Sequence, residues 1–165
     1  MLRFRPAVAL ALALLPAAPA LSAAPSWYRG NTHAHTKASD GDSPLEDVCR
    51  WYRDHGYQFL VVTDHNKAAD AAALAACSTP AFLALPGEEV SDKLGKTAIH
   101  VNALGARTRV APQGGASAEE VVQKDVDAVR ASGAVPTINH PNFHWALTAE
   151  SIARVPPPRA VSPSA

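Results

Sequence analysis

The chain has 165 residues, and its 15 Lys and Arg residues balance 15 Asp and Glu residues, so the formal net charge at pH 7 is zero. No basic block or stripe is present, so a broad nucleic-acid-binding surface is not indicated. The length is sufficient for one domain with a modest core. No GxSxG, GxGxxG or Walker motif occurs, so the sequence gives no support for serine-hydrolase chemistry or for a nucleotide-binding loop.

Residues 1–24 have the three-part layout of a secretory signal peptide. Arg3 and Arg5 give a positive start, Ala7–Leu15 form an apolar run, and small residues follow up to the favoured cleavage point at Ala20. The apolar run is too short for a membrane span, which needs about 20 residues. We therefore expect export, to the periplasm or out of the cell, and no membrane span after signal cleavage.

Predicted helices and strands alternate along residues 25–155, which form the predicted domain. After a first strand near His33, the sequence predicts a helix over 43–56, a strand over 57–62, a helix over 67–77, strands over 81–85 and 98–104, a helix over 117–133, a strand over 134–138 and a short helix near Thr148. This alternation predicts an α/β fold with a parallel sheet or barrel. Residues 156–165 are rich in proline and are predicted to form a disordered tail.

Two helices carry a predicted start signal. Ser43 with Glu46, and Ser117 with Glu120, have the spacing of a capping box, and Pro44 suits the first position of its helix. Both helices are therefore predicted to begin at these serines.

Seven polar side chains lie at or near the predicted strand ends, where α/β folds build their sites. They are His33, His35, Asp40, His65, Glu89, His100 and His140. The first two histidines are two residues apart, so in a strand they point to the same face. Nitrogen and oxygen donors without thiolates suit zinc, manganese or iron, and the series predicts a metal site.

In two pairs of adjacent ionisable residues, only one member can face the predicted metal site, because neighbours in a strand point to opposite faces. In the first pair, His65 is the preferred ligand, and Asp64 is expected to support a ligand or to form a turn. In the second pair, the residues alone do not separate Glu88 from Glu89.

Four further polar residues have a structural and a functional interpretation. Lys37 and Asn139 adjoin predicted ligands; Lys37 is favoured as a solvated surface residue, with contact to an anionic substrate as the alternative. His144 could reach a substrate, but packing against Trp145 is favoured. His55 precedes Gly at a helix C-terminus, where the helix dipole favours histidine.

Cys49 and Cys77 are the two cysteines of the chain and are not part of a CxxC pair. Export would make a disulfide chemically possible. A disulfide and two separately buried thiols are both compatible with the sequence.

Five stretches resemble the PHP family, the polymerase and histidinol phosphatase superfamily of metal-dependent hydrolases. They are NTHAHTKASDGD, FLVVTDHN, LPGEEVS, IHVNALG and INHPN, in the family's order and spacing over roughly residues 28–145. The stretches WYRDHGYQFLVVTDHN and HVNALG are similar to the exported branch related to the CehA/McbA metallohydrolases.

The resemblance implies a distorted seven-stranded (β/α) barrel of parallel strands that holds two or three divalent metal ions at its carboxyl rim. Carried over, His33 and His35 would hold one ion. Glu89 would bridge to a second ion, which His100 and His140 would complete. The family pattern thereby favours Glu89 over its neighbour.

A third ion would belong to Asp40 and His65. The family closes its site with a late Asp-x-His motif, and no such motif follows His140 here. The resemblance therefore implies a partial barrel, with residues 25–155 forming a domain that is incomplete at its C-terminus.

The activity implied by the resemblance is hydrolysis of a small-molecule phosphoester, in which a hydroxide bridging the metal ions attacks phosphorus. Carbamate or carboxyl-ester hydrolysis on the same site is an alternative, because the exported branch could cleave these bonds equally well. A further alternative is an inactive metal-binding fragment that lacks the closing motif. The sequence does not indicate an oligomeric state.

Overall fold

The computed structural model describes residues 26–155, so the predicted signal peptide and the predicted tail lie outside the described residues. The helices and strands are, in chain order, β1 (Gly30–Ala34), α1 (Leu45–Asp54), β2 (Phe59–Val62), α2 (Ala71–Cys77), β3 (Leu83–Leu85), β4 (Gly87–Leu94), β5 (Thr97–Leu104), α3 (Ala118–Ala131), β6 (Val135–Ile138), a 3-10 turn (Phe143–Trp145) and α4 (Ala149–Ala153). Within this range, no helix has the length and apolar character that a membrane crossing requires.

The first half of the fold is a parallel sheet in the order β1-β2-β3. Its central strand β2 is a continuous apolar run, as expected for a parallel strand that is covered on both faces. Its core contains the buried residues Ala34, Cys49, Leu60, Val62, Leu74, Cys77, Phe82 and Ala84. Among the described strands, β1 pairs only with β2, so its other edge has no strand partner there.

The second half is an antiparallel sheet in the order β4-β5-β6. The expectation of parallel strands throughout is therefore wrong for this half, and the sequence did not predict β4 as a separate strand. β4 and β5 form a hairpin in which Leu94 pairs with Thr97 across a turn at Gly95, whose φ is 61°. Two-residue hairpin turns require positive φ, which glycine adopts without strain. The α/β class is observed, and the barrel stays a prediction.

Helix α3 covers the antiparallel sheet. Ser117 caps the helix, since its Oγ accepts a hydrogen bond from Glu120 N at 3.2 Å, and the Glu120 carboxylate accepts one from Ala116 N at 2.8 Å. The predicted start of α3 is thus confirmed. The buried core between helix and sheet includes Val90, Ile99, Val101, Ala103, Val121, Val122, Val126 and Val129.

The predicted start of α1 is wrong by one residue. Pro44 is the N-cap and no side chain caps the helix, because Ser43 Oγ instead donates to Asp42 Oδ1 at 2.9 Å. The capping box with Glu46 therefore does not form. Helix α4 begins next to its N-cap Thr148, as predicted.

The two sheets join where β2 ends and β4 begins. His65 and Glu89 form an isolated parallel bridge. Glu89 N donates to Asp64 O at 3.2 Å, and Asn66 N donates to Glu89 O at 2.9 Å. This junction places the residues after β2 beside the first residues of β4, and the predicted ligands of both sheets therefore meet at one place.

Candidate metal centre

A single buried carboxylate, that of Glu89, lies at the middle of the predicted ligands, with its side chain 1% exposed. Five imidazoles have a ring nitrogen within 3.3 Å of one of its two oxygens. The neighbours of Oε2 are His33 Nε2 at 3.2 Å, His35 Nε2 at 3.1 Å and His65 Nδ1 at 3.3 Å. The neighbours of Oε1 are His100 Nδ1 at 3.1 Å and His140 Nε2 at 3.0 Å.

The two histidines of the first strand point to the same side, as their spacing predicts. His33 Nε2 and His35 Nε2 are 2.9 Å apart, and both face the same oxygen of Glu89. Two imidazole nitrogens and one carboxylate oxygen therefore converge on one small volume, which is the arrangement of ligands around an ion.

Asp40 connects two of these imidazoles on the solvent side. Its Oδ1 lies 3.2 Å from His35 Nδ1 and its Oδ2 lies 3.4 Å from His65 Nε2. The Asp40 side chain is 68% exposed, whereas Glu89 is buried, so the centre opens to solvent at the aspartate and closes at the glutamate.

The loop that carries Asp40 is tightly folded. A Cβ atom on Gly41 would lie 2.6 Å from the carbonyl carbon of His35 and 2.7 Å from Thr36 N, which are closer than real Cβ contacts. Glycine at this position therefore lets the loop return to the backbone of the ligand strand, and it accounts for the glycine in the Ser39-Asp40-Gly41 sequence.

The buried carboxylate of Asp64 fixes the same loop through hydrogen bonds. Its carboxylate accepts hydrogen bonds from Thr36 N and Thr36 Oγ1, both at 2.8 Å, and from Ser39 Oγ at 2.6 Å. Ser39 Oγ also lies 3.4 Å from His35 Nδ1. Asp64 is buried and contacts the ligand loop, while His65 faces the centre, which is the division of roles expected from the sequence.

The amide of Asn139 orients the central carboxylate. Asn139 Nδ2 donates to Glu89 Oε1 at 2.9 Å and to Asn102 Oδ1 at 2.7 Å. Asn102 Nδ2 in turn donates to Thr32 O at 3.2 Å. The sequence pointed to Asn139 but assigned no role to Asn102, although its position two residues after His100 places both on one face of β5.

Ser91 is a second residue to which the sequence assigned no role. Its Oγ lies 2.5 Å from His65 Nδ1, and it also donates to Glu89 O at 3.0 Å. A ring nitrogen held in this way leaves the other nitrogen, Nε2, to face Asp40. The signal was available, since Ser91 follows Glu89 by two residues on the same face of β4.

The electrostatics of the centre favour a charged Glu89 and a protonated His35. Burial alone would raise the pKa of Glu89, but hydrogen bonds from His100, His33, His35 and Asn139 outweigh it and hold that pKa far below the ordinary value. The hydrogen bond with Glu89 raises the pKa of His35, against the opposing effect of burial. A charged Glu89 at the middle of the imidazoles is a buried negative charge, and such a charge attracts cations.

Three other candidates from the sequence lie away from the carboxylate. Glu88 points to the opposite side of β4, where its Oε2 accepts from Val110 N at 2.7 Å. Lys37 is exposed. The His144 ring lies 4.3 Å from that of Phe143, so its neighbour is Phe143 rather than the expected Trp145.

His55 ends helix α1 as its C-cap residue, in agreement with its structural interpretation. Its ring stacks on Trp51 with 4.0 Å between centroids, and its Nδ1 lies 2.7 Å from Trp51 O. It forms one wall of a cavity of about 690 Å³ that extends from His33 and His35 along α1. The cavity also borders Arg50, and it lies directly beside the candidate metal centre.

The donor set fits divalent cations. Among the described residues, three groups have ligand atoms within 4.8 Å of one another, namely His33–His35–Glu89, His35–Asp40–His65 and His65–Glu89–His100. The first and third groups share Glu89, whose carboxylate has two oxygens and could serve two ions. The ligands are nitrogen and oxygen atoms, the set preferred by zinc, manganese and iron. The fold and the site together define a mixed α/β protein with a candidate centre for more than one metal ion.

Comparison with known proteins finds a distant likeness among solved structures. No family model matches the chain, and no curated protein matches it. A solved structure of an amidohydrolase from Chromobacterium violaceum, with sulfate bound and no metal, is 30% identical over 47% of this chain, with a TM-score of 0.39. The match spans 28% of that protein's chain. With so low a TM-score, neither the fold nor the function of this chain is inferred from it.

Proposed function

We propose that this chain is a metal-dependent hydrolase of the PHP type, in the exported CehA/McbA-like branch, and that it cleaves phosphoesters. The observation that carries the proposal is the convergence of five imidazoles on the buried carboxylate of Glu89. Burying a charged carboxylate is costly unless ionic or metal partners compensate for it. Five imidazole nitrogens, each able to bind a proton or a metal ion, surround one carboxylate, and such a site is well suited to binding cations.

The residues that would hold the ions are those at the carboxylate and at its solvent side, namely His33, His35, Asp40, His65, Glu89, His100 and His140. A bound divalent cation supplies Lewis acidity and makes water reactive near neutral pH. This chemistry requires no side-chain nucleophile, which agrees with the absence of a serine-hydrolase motif from the sequence.

The protein's own residues fix the geometry of such a centre. Asn139 donates to Glu89 Oε1 and thereby sets the rotation of the carboxylate. Ser91 holds His65 Nδ1, and Asp64 holds the loop that carries Asp40. These contacts orient the ligands before any ion binds. Binding an ion would therefore cost little further conformational entropy of the ligand side chains.

The substrate would enter on the solvent side. Asp40 lies beside His35 and His65, the cavity along α1 borders His33 and His35, and both are open to solvent. We expect a small-molecule ester to bind there, next to the centre. We also propose that the protein acts outside the cytoplasm, a proposal that rests on the signal-peptide pattern of residues 1–24.

The test is metal analysis of the purified chain together with hydrolysis of bis-p-nitrophenyl phosphate in the presence of manganese or zinc. We expect at least two bound ions per chain and turnover that His140→Ala abolishes. Lys124→Ala is the control, because this lysine pairs with Glu120 on the exposed face of α3, away from the centre and its cavity, and its loss should leave turnover unchanged.

The possible outcomes separate the alternatives. Turnover of carbamate or carboxyl esters without turnover of phosphoesters would support the metal centre but change the proposed substrate class. Bound ions without turnover of any ester would identify an inactive metal-binding fragment. Absence of bound metal in the folded chain would refute the site itself.

A further inference from the structure

The two cysteines are far apart in the chain but lie in one core. Cys49 belongs to α1 and Cys77 is the last residue of α2. Their exposed fractions are 1% and 8%, and both belong to the apolar cluster beneath the parallel sheet. No other cysteine exists in the chain, so each is the only intramolecular disulfide partner of the other.

The two thiols are also neighbours. A cavity of about 190 Å³ between the two helices is lined by both, together with Arg53 and Ala73. Burial raises the pKa of Cys49 to about 12, and a hydrogen bond with the Cys77 thiol adds to that rise. Both thiols are free in this structure, and they lie in the same apolar cluster and line the same cavity.

We propose that Cys49 and Cys77 form a disulfide that joins α1 to α2. The bond closes when a small-molecule or protein disulfide is the oxidant. One cysteine thiolate attacks the oxidant's disulfide and releases one of its thiols, and the second cysteine then attacks the mixed disulfide and releases the other. The two protein thiols are oxidised to one disulfide, the oxidant is reduced to two thiols, and the two protons pass to those thiols.

The burial of both residues sets when the bond forms. A buried thiol with a high pKa is a poor nucleophile, so the native reduced pair should react slowly with external oxidants and alkylating reagents. The bond should therefore close during folding, while the helices are still accessible. Once closed, the same burial protects it from reductants in solution.

The proposal does not depend on the metal centre, and its experiment is run with EDTA present. The full chain is refolded in a mixture of reduced and oxidised glutathione, quenched with acid and analysed by mass spectrometry. We expect a mass lower by two hydrogen atoms, no free thiol after denaturation, and a Cys49–Cys77 peptide in a digest prepared without reductant. Two free thiols per denatured chain would overturn the proposal.

A stability measurement supplies the second readout. Reduction of the oxidised chain should lower its melting temperature by about 10 °C, because the bond closes a long loop of the unfolded chain. The double variant Cys49→Ala/Cys77→Ala should show no shift on reduction. If the variant does not fold, the thiol count of the parent chain still decides; an equal shift in parent and variant would contradict the proposal.

Discussion

At the scale of single residues, two adjacent glutamates have opposite fates. Glu89 faces five imidazoles and is held charged, while Glu88 lies in the apolar core of the other sheet face. Burial raises the pKa of Glu88, and among the described residues its Oε1 has no hydrogen-bond partner. Alternation along a strand predicts that the two point to opposite sides, but it cannot say which side holds the site.

Glu89→Gln should empty more than one metal position, since this carboxylate contacts imidazoles through both of its oxygens. We expect bound metal to fall to near zero, and turnover to fall by more than the ~100-fold loss that removal of an outer partner causes. Metal analysis of the dialysed protein measures the first effect. Glu88→Gln is the matched control and should keep its metal; full metal content in Glu89→Gln would mean that the wrong carboxylate has been chosen.

Ser91→Ala should weaken metal binding without unfolding the chain. Without the hydroxyl, His65 Nδ1 loses the partner that lies at 2.5 Å, and the ring is free to rotate or to change tautomer. Loss of such a partner typically lowers metal affinity by ~10–100-fold. Competition with a chromogenic chelator measures the affinity, and an unchanged value would show that Ser91 does not orient the ring.

At the scale of elements, the β4–β5 hairpin brings the ligands together. Its register sets Glu89 opposite Asn102 and Ser91 opposite His100. The sequence predicted β5 and the helices, because their apolar periodicity and caps are local signals. It did not predict β4, because the alternation in GEEVSDKL is weak and the hairpin depends on a single turn at Gly95. The site residues could therefore be identified from the sequence, but the strand register that brings them together could not.

Helix α3 carries a buried acid whose ionisation opposes folding. Burial raises the pKa of Asp125 to about 7, and the negative charge of Asp92 adds to the rise. The folded chain therefore binds a proton that the unfolded chain has released above pH ~4. Stability is full below that pH and falls as pH rises towards 7, by at most about 4 kcal/mol.

Asp125→Asn should remove this pH dependence, because the amide keeps an oxygen for the hydrogen bond from Gln113 N, which is 2.9 Å in the parent. We expect the variant and the parent to be equally stable at pH 4, and the variant to be more stable at pH 8. Urea denaturation at both pH values measures the free energy of unfolding. A constant difference between the two proteins would show that the carboxyl does not titrate in this range.

At the scale of the whole molecule, the candidate centre is the junction of the two sheets. His33 and His35 belong to the parallel half, Glu89 and His100 to the antiparallel half. An ion held by ligands from both halves ties them together. Because only the folded chain presents these ligands as a set, a metal ion bound there would stabilise the fold.

Addition of manganese or zinc to the metal-free chain should therefore raise its melting temperature. At a free ion concentration ~100 times the Kd, the gain is about 2.7 kcal/mol, which corresponds to roughly 5–10 °C for a domain of this size. Thermal denaturation with and without EDTA measures the shift. The same ions should leave Glu89→Gln unchanged, and an equal shift in that variant would point to binding elsewhere.

The strand that carries His33 lies at the border of its sheet, with β2 on one side and no described strand on the other. Backbone donors and acceptors on such a border are a template for any extended segment, including that of another molecule. In concentrated solution, lateral association would begin beside the ligand strand. A molecule that paired with this border would lie next to the strand that carries His33, so association of that kind would also change the surroundings of this imidazole.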